Sequence, residues 1–276
     1  MLRLVIKMQQ ILDKRRYMPE LPEVETLCRQ LKTVILHEQI LCVEIRDCKL
    51  GSVGELIGKE VASVARHGKT LEITLDNDAK LLLHLRMTGR LQWQTGQQVL
   101  PPHTRFVMSF STGKLLLIDP RRFATLTLTN NGICEALIND PLRDYRISRL
   151  WRLSRKKKLS VKSFLLDQRV IAGIGNIYAC EILYEASIDP VRSACSVSRK
   201  ELERIAAAGK NILNRAIACR GTTVSDWRDL FGREGEYQHE LNVYNREGLP
   251  CPRCQGRIQR MCLSGRGTYF CPSCQK

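Results

Sequence analysis

Two different spacings of apolar residues divide the chain. Between residues 18 and 36, Val24, Leu27, Leu31 and Ile35 recur at intervals of three and four, which predicts a helix with one buried face. From residue 40 onward the pattern changes to short β-type runs separated by Gly, Asp and Asn. The predicted strands are 40–46, 61–66, 71–75, 80–86, 105–110, 114–119 and 125–129. They indicate an antiparallel sandwich or barrel.

After residue 139 the spacing becomes helical again, and helices are predicted at 160–167, 177–187 and 198–219. The fold class is therefore α+β: an N-terminal helix with an antiparallel β-sandwich domain, followed by a helical domain and a C-terminal hairpin. The expected divisions are an extension (1–17), the β-domain (18–139), a basic linker (140–158), the helical domain (159–245) and a cysteine-rich tail (246–276).

Charge narrows the range of partners. The chain has 44 Lys and Arg against 28 Asp and Glu, a formal net charge of +16. Residues 149–158 and 251–276 contain several basic residues and no acid, which favours binding to a polyanion such as nucleic acid. No apolar run is long enough to cross a bilayer, and no signal peptide is evident. Twelve cysteines fit reduced thiols in a cytoplasm, some of them holding metal.

Four cysteines in the tail have the spacing of a zinc site. Cys251 and Cys254 form one pair, Cys271 and Cys274 form another, and sixteen residues separate the pairs. Two such pairs can close one tetrahedral Zn²⁺ site. Four thiolates leave no open position for a catalytic water, so the expected role is structural and no catalytic metal is expected. The residues between the pairs suit a two-stranded hairpin, with Arg266 at its tip.

Several motifs together resemble the formamidopyrimidine-DNA glycosylase family. They are MPELPEVE (18–25), ARHGKTLEI (65–73), HLRMTGRL (84–91), DPRRF (119–123), GIGNIYACEILYEASIDP (173–190), GTT (221–223) and the four-cysteine tail. The resemblance covers residues 18–276 in the family's order. The sister family, endonuclease VIII, usually has Gly where this chain has Leu21, which favours the branch that acts on oxidised purines.

The resemblance implies a bacterial base-excision repair enzyme. Such an enzyme flips 8-oxoguanine or a formamidopyrimidine out of duplex DNA, cuts the glycosidic bond and nicks the strand by β,δ-elimination. The partner would be damaged double-stranded DNA, and the protein would be a cytoplasmic monomer associated with the nucleoid through DNA.

The resemblance also assigns catalytic roles. A terminal proline amine can attack C1′ of the sugar and form an iminium, which makes Pro19 the nucleophile. Glu20 matches the proton donor at the sugar ring oxygen, and Glu23 can assist it or only favour the helix dipole. Lys69 would supply a proton for β-elimination or bind a phosphate. Arg266 matches the residue of δ-elimination, although arginine is a poor proton donor and phosphate binding suits it better.

Other positions match DNA contacts of the family. Met87, Arg121 and Phe123 match the residues that fill the void left by the flipped base; we call them the void-filling residues. The resemblance makes the helical domain a helix–two-turn–helix, with Lys162 and Asn176 on the DNA backbone. His103, Arg121 and Lys157 match further DNA-contact positions.

The role of Pro19 as a nucleophile conflicts with the residues that precede it in the sequence. Seventeen residues precede Met18, and an acylated Pro19 has no basic lone pair. Translation could begin at Met18, the extension could be cleaved, or the protein could bind lesions without cutting them. We favour the first reading. The rival functions are a catalytically silent lesion-binding protein and a pyrimidine-directed activity like that of endonuclease VIII.

Overall fold

The computed structural model describes residues 18–51, 54–130, 139–143 and 146–276. The chain divides into two units, one formed by Met1–Ile133 with Cys219–Gln238 and the other by Cys134–Ala218 with His239–Lys276. The predicted extension 1–17 lies outside the described residues. The segment 219–238, which we expected in the helical domain, is part of the first unit.

The first unit begins with helix α1 (Leu21–Ile35), as predicted. Val24, Leu27, Leu31 and Ile35 are almost completely buried in the core of this unit, so the periodic apolar face is the buried face. Eight strands follow: β1 Cys42–Ile45, β2 Val61–His67, β3 Thr70–Leu75, β4 Lys80–His84, β5 Arg90–Gln94, β6 Thr104–Ser109, β7 Lys114–Ile118 and β8 Thr125–Thr129.

The strands form two four-stranded antiparallel sheets, in the orders β1-β6-β7-β5 and β2-β3-β4-β8. This arrangement confirms the predicted sandwich. Strand β5 is an addition to the predicted set, because only Leu91 and Trp93 are apolar within it. The outer edge of β5 is covered by the segment 219–238, because the Trp93 N–H donates to the Leu230 carbonyl at 2.8 Å.

Among the described residues of the second unit, the α-helices are α2 Ile147–Ser154, α3 Val161–Leu166, α4 Asn176–Glu185 and α5 Arg199–Ala218. The last three were predicted. Helix α2 corrects the expectation of a linker over 140–158: Leu150 is buried and the helix packs against α5, while arginines occupy its outer side. Within the described ranges, no helix is both long and apolar enough to cross a membrane.

Two consecutive turns join α3 to α4, and one side chain fixes their geometry. The Gln168 amide oxygen accepts the Gly173 N–H at 2.9 Å, and its amide nitrogen donates to the Ile174 carbonyl at 2.8 Å. Gly173 has a φ of +96°, a conformation that a side chain would disfavour. The connection is therefore a defined helix–two-turn–helix.

The unit ends in a hairpin of β9 (Gln259–Leu263) and β10 (Arg266–Phe270). Ser264 and Gly265 form its two-residue turn, with φ values of +51° and +72°. Positive φ at both central residues is typical of the type I′ turn, which matches the twist of antiparallel strands. The predicted hairpin is thus confirmed, and Arg266 begins its second strand directly after the turn.

A completely buried carboxyl group connects α4 to the segment that precedes the cysteines. Glu181 accepts the N–H groups of Asn242, Val243 and Tyr244 at 2.8–2.9 Å. Burial raises the pKa of Glu181, and these hydrogen bonds oppose the rise. The residues 242–244 have no strand or helix partner, so the side chain satisfies their donors.

Glu181→Ala should strongly destabilise the protein, because it leaves buried N–H groups without acceptors at about 1–3 kcal/mol each. Chemical denaturation should show a loss of several kcal/mol, as an order of magnitude. Glu203→Ala is the matched control, since Glu203 is half-exposed on α5 and should change stability little. Equal losses for the two variants would contradict this account.

Candidate active site and nucleic-acid interface

The first turn of α1 places two carboxylates beside Pro19. Glu20 is the N-cap residue and Glu23 is the third residue of the helix. Both are buried, at 5% and 3% exposed, although acidic side chains usually lie in water. One Glu23 carboxylate oxygen accepts the Glu20 N–H at 2.9 Å, as in a capping box. The half-buried Pro19 therefore precedes a turn that is fixed by hydrogen bonding and carries two buried carboxyl groups.

The second Glu23 oxygen connects this turn to the segment 219–238. It accepts the Thr222 N–H at 2.7 Å. Gly221 packs so closely that an added Cβ would lie 2.7 Å from the same oxygen, and its φ is +86°. Gly221 is therefore required by both space and backbone conformation. Both Glu23 oxygens accept backbone donors, which supports a positioning role for this side chain.

Lys69 occupies the two-residue turn between β2 and β3, as predicted, but it is only 7% exposed. Arg66 ties this turn to α1: it donates to the Glu25 carboxylate at 2.7 Å and to the Gly68 carbonyl at 3.1 Å. Arg66 is itself 3% exposed. A buried ion pair thus holds the lysine turn in register with the helix that begins at Glu20 and Glu23.

A histidine that the sequence analysis did not select lies beside Lys69. His84 pairs with Thr70 across β3 and β4, and its Nδ1 accepts the Arg86 N–H at 3.0 Å. Burial, Arg86 and Lys69 together lower the pKa of His84 to about 4. The imidazole is therefore neutral near pH 7, with its proton on Nε2. The sequence feature that could have indicated His84 is its place on the predicted strand 80–86, one strand after the Lys69 turn.

The three void-filling residues lie in two connections between the sheets. Met87 is half-buried between β4 and β5, whereas Arg121 and Phe123 are exposed between β7 and β8. Phe123 is 43% exposed, and the Arg121 guanidinium lies 4.7 Å from its ring centroid. His103 is also exposed, in the turn before β6, with a φ of +65°. These side chains are outside the core and can meet a partner.

In the second unit, two predicted DNA contacts converge on the hairpin. Lys162 donates to the Gly267 carbonyl at 3.1 Å and to the Thr268 hydroxyl at 2.7 Å. The Asn176 amide donates to the same Gly267 carbonyl at 3.0 Å. Arg266 precedes this carbonyl and is exposed. Lys157 is half-buried after α2, and its carbonyl accepts the Cys195 N–H.

Lys162, for which the DNA-backbone contact stays a prediction, makes its hydrogen bonds within the protein in this structure. Its side chain is 1% exposed, and its ammonium group donates within the protein. A phosphate could reach it only if these bonds broke. Lys162 therefore stabilises the hairpin that carries Arg266. Periodicity could not reveal this, because the partners are more than a hundred residues away.

The four predicted cysteines meet in one cluster, with their sulfur atoms within 4.8 Å of one another. The distances are 3.8 Å for Cys251–Cys274 and 3.5 Å for Cys254–Cys271. A tetrahedral zinc with Zn–S bonds of about 2.3 Å requires sulfur atoms about 3.8 Å apart. The donor set and its dimensions fit one Zn²⁺ ion, which would hold the hairpin folded.

Comparison with known proteins identifies the family. Residues 18–126 match the formamidopyrimidine-DNA glycosylase N-terminal domain, 137–227 match the formamidopyrimidine-DNA glycosylase H2TH domain, and 248–276 match the zinc finger found in FPG and IleRS. The chain belongs to the formamidopyrimidine-DNA glycosylase family. Family members are DNA-repair glycosylases and apurinic/apyrimidinic-site lyases, so this chain is an enzyme of that class.

The similarity extends over whole proteins. The formamidopyrimidine-DNA glycosylase of Pelotomaculum thermopropionicum is 40% identical over 274 residues, which are 94% of this chain and 99% of that protein. A Lactococcus lactis Fpg variant, solved in complex with Fapy-dG-containing DNA, has a TM-score of 0.85 and 32% identity, covering 94% and 100% of the two chains. Lactococcus lactis Fpg with abasic-site DNA gives 0.84 and 32%, covering 93% and 99%.

For this glycosylase we expect one zinc ion per chain, released by Cys254→Ser. Three remaining thiolates cannot close the tetrahedral site. Metal analysis by mass spectrometry measures the stoichiometry. Cys262→Ser is the matched control, because Cys262 is an exposed cysteine of the same hairpin and lies outside the four-sulfur cluster. Zinc loss from the control, or none in the parent protein, would contradict the assignment.

The low pKa of His84 gives a second prediction. Titration of the histidine ring signals by NMR should show His84 uncharged until about pH 4. Because the unfolded ring protonates near pH 6.5, its contribution to stability should decrease as the pH falls through this interval. Lys69→Gln removes one nearby cation and should raise the pKa of His84. Lys114→Gln, on the other sheet, should not; equal titrations in all three proteins would refute the arrangement.

Proposed function

We propose that this glycosylase excises oxidised purines, such as 8-oxoguanine and formamidopyrimidines, from damaged duplex DNA, and that Pro19 is its nucleophile. The observation that carries the proposal is the turn at Pro19: a proline directly followed by two buried carboxylates at the start of α1. Solved relatives bound to Fapy-dG and abasic-site DNA support the substrate class.

The reaction begins when the Pro19 nitrogen attacks C1′. The N–C1′ bond forms as the glycosidic bond breaks, and the departing base takes up the proton that the Pro19 nitrogen loses. Glu20 supplies a proton to the ring oxygen as the sugar opens, which leaves an iminium. The iminium accepts electrons when C2′ loses a proton and the 3′ phosphate departs. A second elimination releases the 5′ phosphate, and water frees Pro19.

The other residues bind or orient DNA in this proposal. Glu23 holds the Glu20 turn against Gly221 and Thr222, so it acts as a positioning residue. Lys69 donates a proton during β-elimination or binds a phosphate. Arg266 binds phosphate at the δ-elimination step, and His103, Lys157 and Asn176 contact the DNA backbone. The Zn²⁺ held by the four cysteines is structural, and no catalytic metal is required.

This chemistry requires a free secondary amine at Pro19, which exists only in a chain that begins there. We therefore propose an active form that starts at Pro19. We also propose that this form is a cytoplasmic monomer. Leu21 favours oxidised purines over the pyrimidine substrates of endonuclease VIII. Excision measured on matched duplexes with oxidised purines or oxidised pyrimidines distinguishes these two activities.

Borohydride trapping tests the nucleophile. Protein beginning at Pro19 should form a covalent adduct with 8-oxoguanine DNA, because reduction converts the iminium to a stable amine. The full 276-residue chain should form none through Pro19, whose nitrogen is then an amide. Peptide mapping of the adduct identifies the attached residue.

Glu20→Gln should slow base excision by about a hundredfold or more, with a smaller effect on nicking of a pre-formed abasic site. Glu38→Gln is the control, because Glu38 is half-buried beyond the other end of α1, where it accepts the Ser111 hydroxyl. Equal trapping of the two chain forms would show that another amine attacks, with Lys69 the first candidate. A chain that binds lesions without trapping or excision would instead be the silent binder.

A further inference from the structure

The void-filling residues are carried by two segments that are distant in sequence but in contact. Residues 85–89 join β4 to β5, and residues 119–124 join β7 to β8; each connection passes from one sheet to the other. An added Cβ on Gly89 would lie 2.4 Å from the Leu85 carbonyl and 3.0 Å from the Ala124 Cβ. The two connections therefore touch with no space for a side chain at Gly89.

One buried carboxylate holds both connections. Asp119 is 1% exposed. One of its oxygens accepts the Thr88 hydroxyl and the Arg121 N–H. The other accepts the N–H groups of Phe123 and Ala124, each at 2.7 Å. The donors therefore include the neighbour of Met87 and the backbone of both Arg121 and Phe123.

Asp119 also contacts His103, another residue that is predicted to bind DNA. Its own N–H donates to the His103 carbonyl at 3.0 Å. Burial opposes ionisation of Asp119, but the hydrogen bonds from Thr88 and from the backbone prevail and keep its pKa below the ordinary value. The carboxylate therefore remains charged at neutral pH, when charge-assisted hydrogen bonds are strong.

A second buried carboxylate binds Arg122, the neighbour of Arg121. Asp47 accepts two hydrogen bonds from the Arg122 guanidinium and one from Arg105, and Arg105 also donates to Asp119 at 3.2 Å. Arg122 has a φ of +59°, so the chain reverses locally at this residue. Arg122 is thereby bound to a buried acid, while the Arg121 guanidinium lies against the Phe123 ring.

We propose that Asp119 is a positioning residue for void filling: its carboxylate fixes the Met87 turn and the Arg121–Phe123 loop as one body, so that the three side chains enter the duplex together. This inference rests on the proposed function. A preorganised set loses less conformational freedom on binding, and an arginine must be accurately placed to distinguish the base left opposite the void. The role of Asp119 is thus to connect base extrusion with recognition of the opposite base.

Two variants test the positioning role of Asp119, one by changing the carboxylate itself and one by removing a single hydrogen bond to it. Asp119→Asn replaces acceptors with an amide that cannot accept all of these donors. Thr88→Val removes only the hydroxyl that connects Met87 to Asp119 and preserves the fold. Thr127→Val is the control, since Thr127 is an exposed threonine of β8. All three variants are made in the chain that begins at Pro19, the form proposed to excise 8-oxoguanine.

Three readouts separate positioning from general damage. The first is the single-turnover excision rate for 8-oxoguanine opposite cytosine and opposite adenine. The second is the fluorescence of a 2-aminopurine placed beside the lesion, which follows insertion into the stack. The third is borohydride trapping on an abasic site that faces a gap, where no orphaned base needs recognition.

Both test variants should lose about tenfold in excision opposite cytosine, with a smaller fluorescence change, while trapping at the gap changes less than about twofold. Asp119→Asn should also reduce the preference between opposite bases. Unchanged preference and fluorescence in both variants, or equal losses on every substrate, would overturn the positioning role. If the parent protein neither excises nor traps, the proposed function fails and this inference with it; an active parent with unaffected variants refutes this inference alone.

Discussion

Irregular segments of this protein are held by buried carboxylates that accept backbone N–H groups. A loop has donors that no ladder satisfies, and a buried carboxylate requires several donors. Glu23 accepts the N–H groups of Glu20 and Thr222, and Asp119 accepts those of Arg121, Phe123 and Ala124. Glu181 does the same for residues 242–244, and Asp229 for Phe231 and Arg233.

This use of acids shapes the electrostatics. Each buried carboxylate contributes to the internal structure, whereas bases such as Arg121 and Arg266 remain exposed. Other basic residues are engaged by acids within the protein, among them Arg66, Arg105 and Arg122. The charge count alone therefore does not say which basic residues bind DNA.

In the second unit, side chains from distant positions likewise hold the β9–β10 hairpin in place. Four thiolates with tetrahedral spacing close one end, and the Gly267 carbonyl receives donors from Lys162 and Asn176 near the other. Arg266 lies between these restraints and the two-residue turn, so its backbone is fixed while its side chain is exposed. This is the arrangement expected of a residue that must meet a phosphate at a set position.

Local pattern determined much of this protein from the sequence alone. Helix α1, most strands, the three later helices and the cysteine cluster follow from spacing, because periodicity and turn residues act within a few positions. Family motifs added the prediction that the turn at Pro19 is catalytic. Only the tertiary structure decided that Lys162 is buried, that Arg122 binds Asp47, and that 219–238 joins the first unit. The reason is physical: these outcomes depend on hydrogen bonds between residues up to 200 positions apart, and no local pattern records such partners.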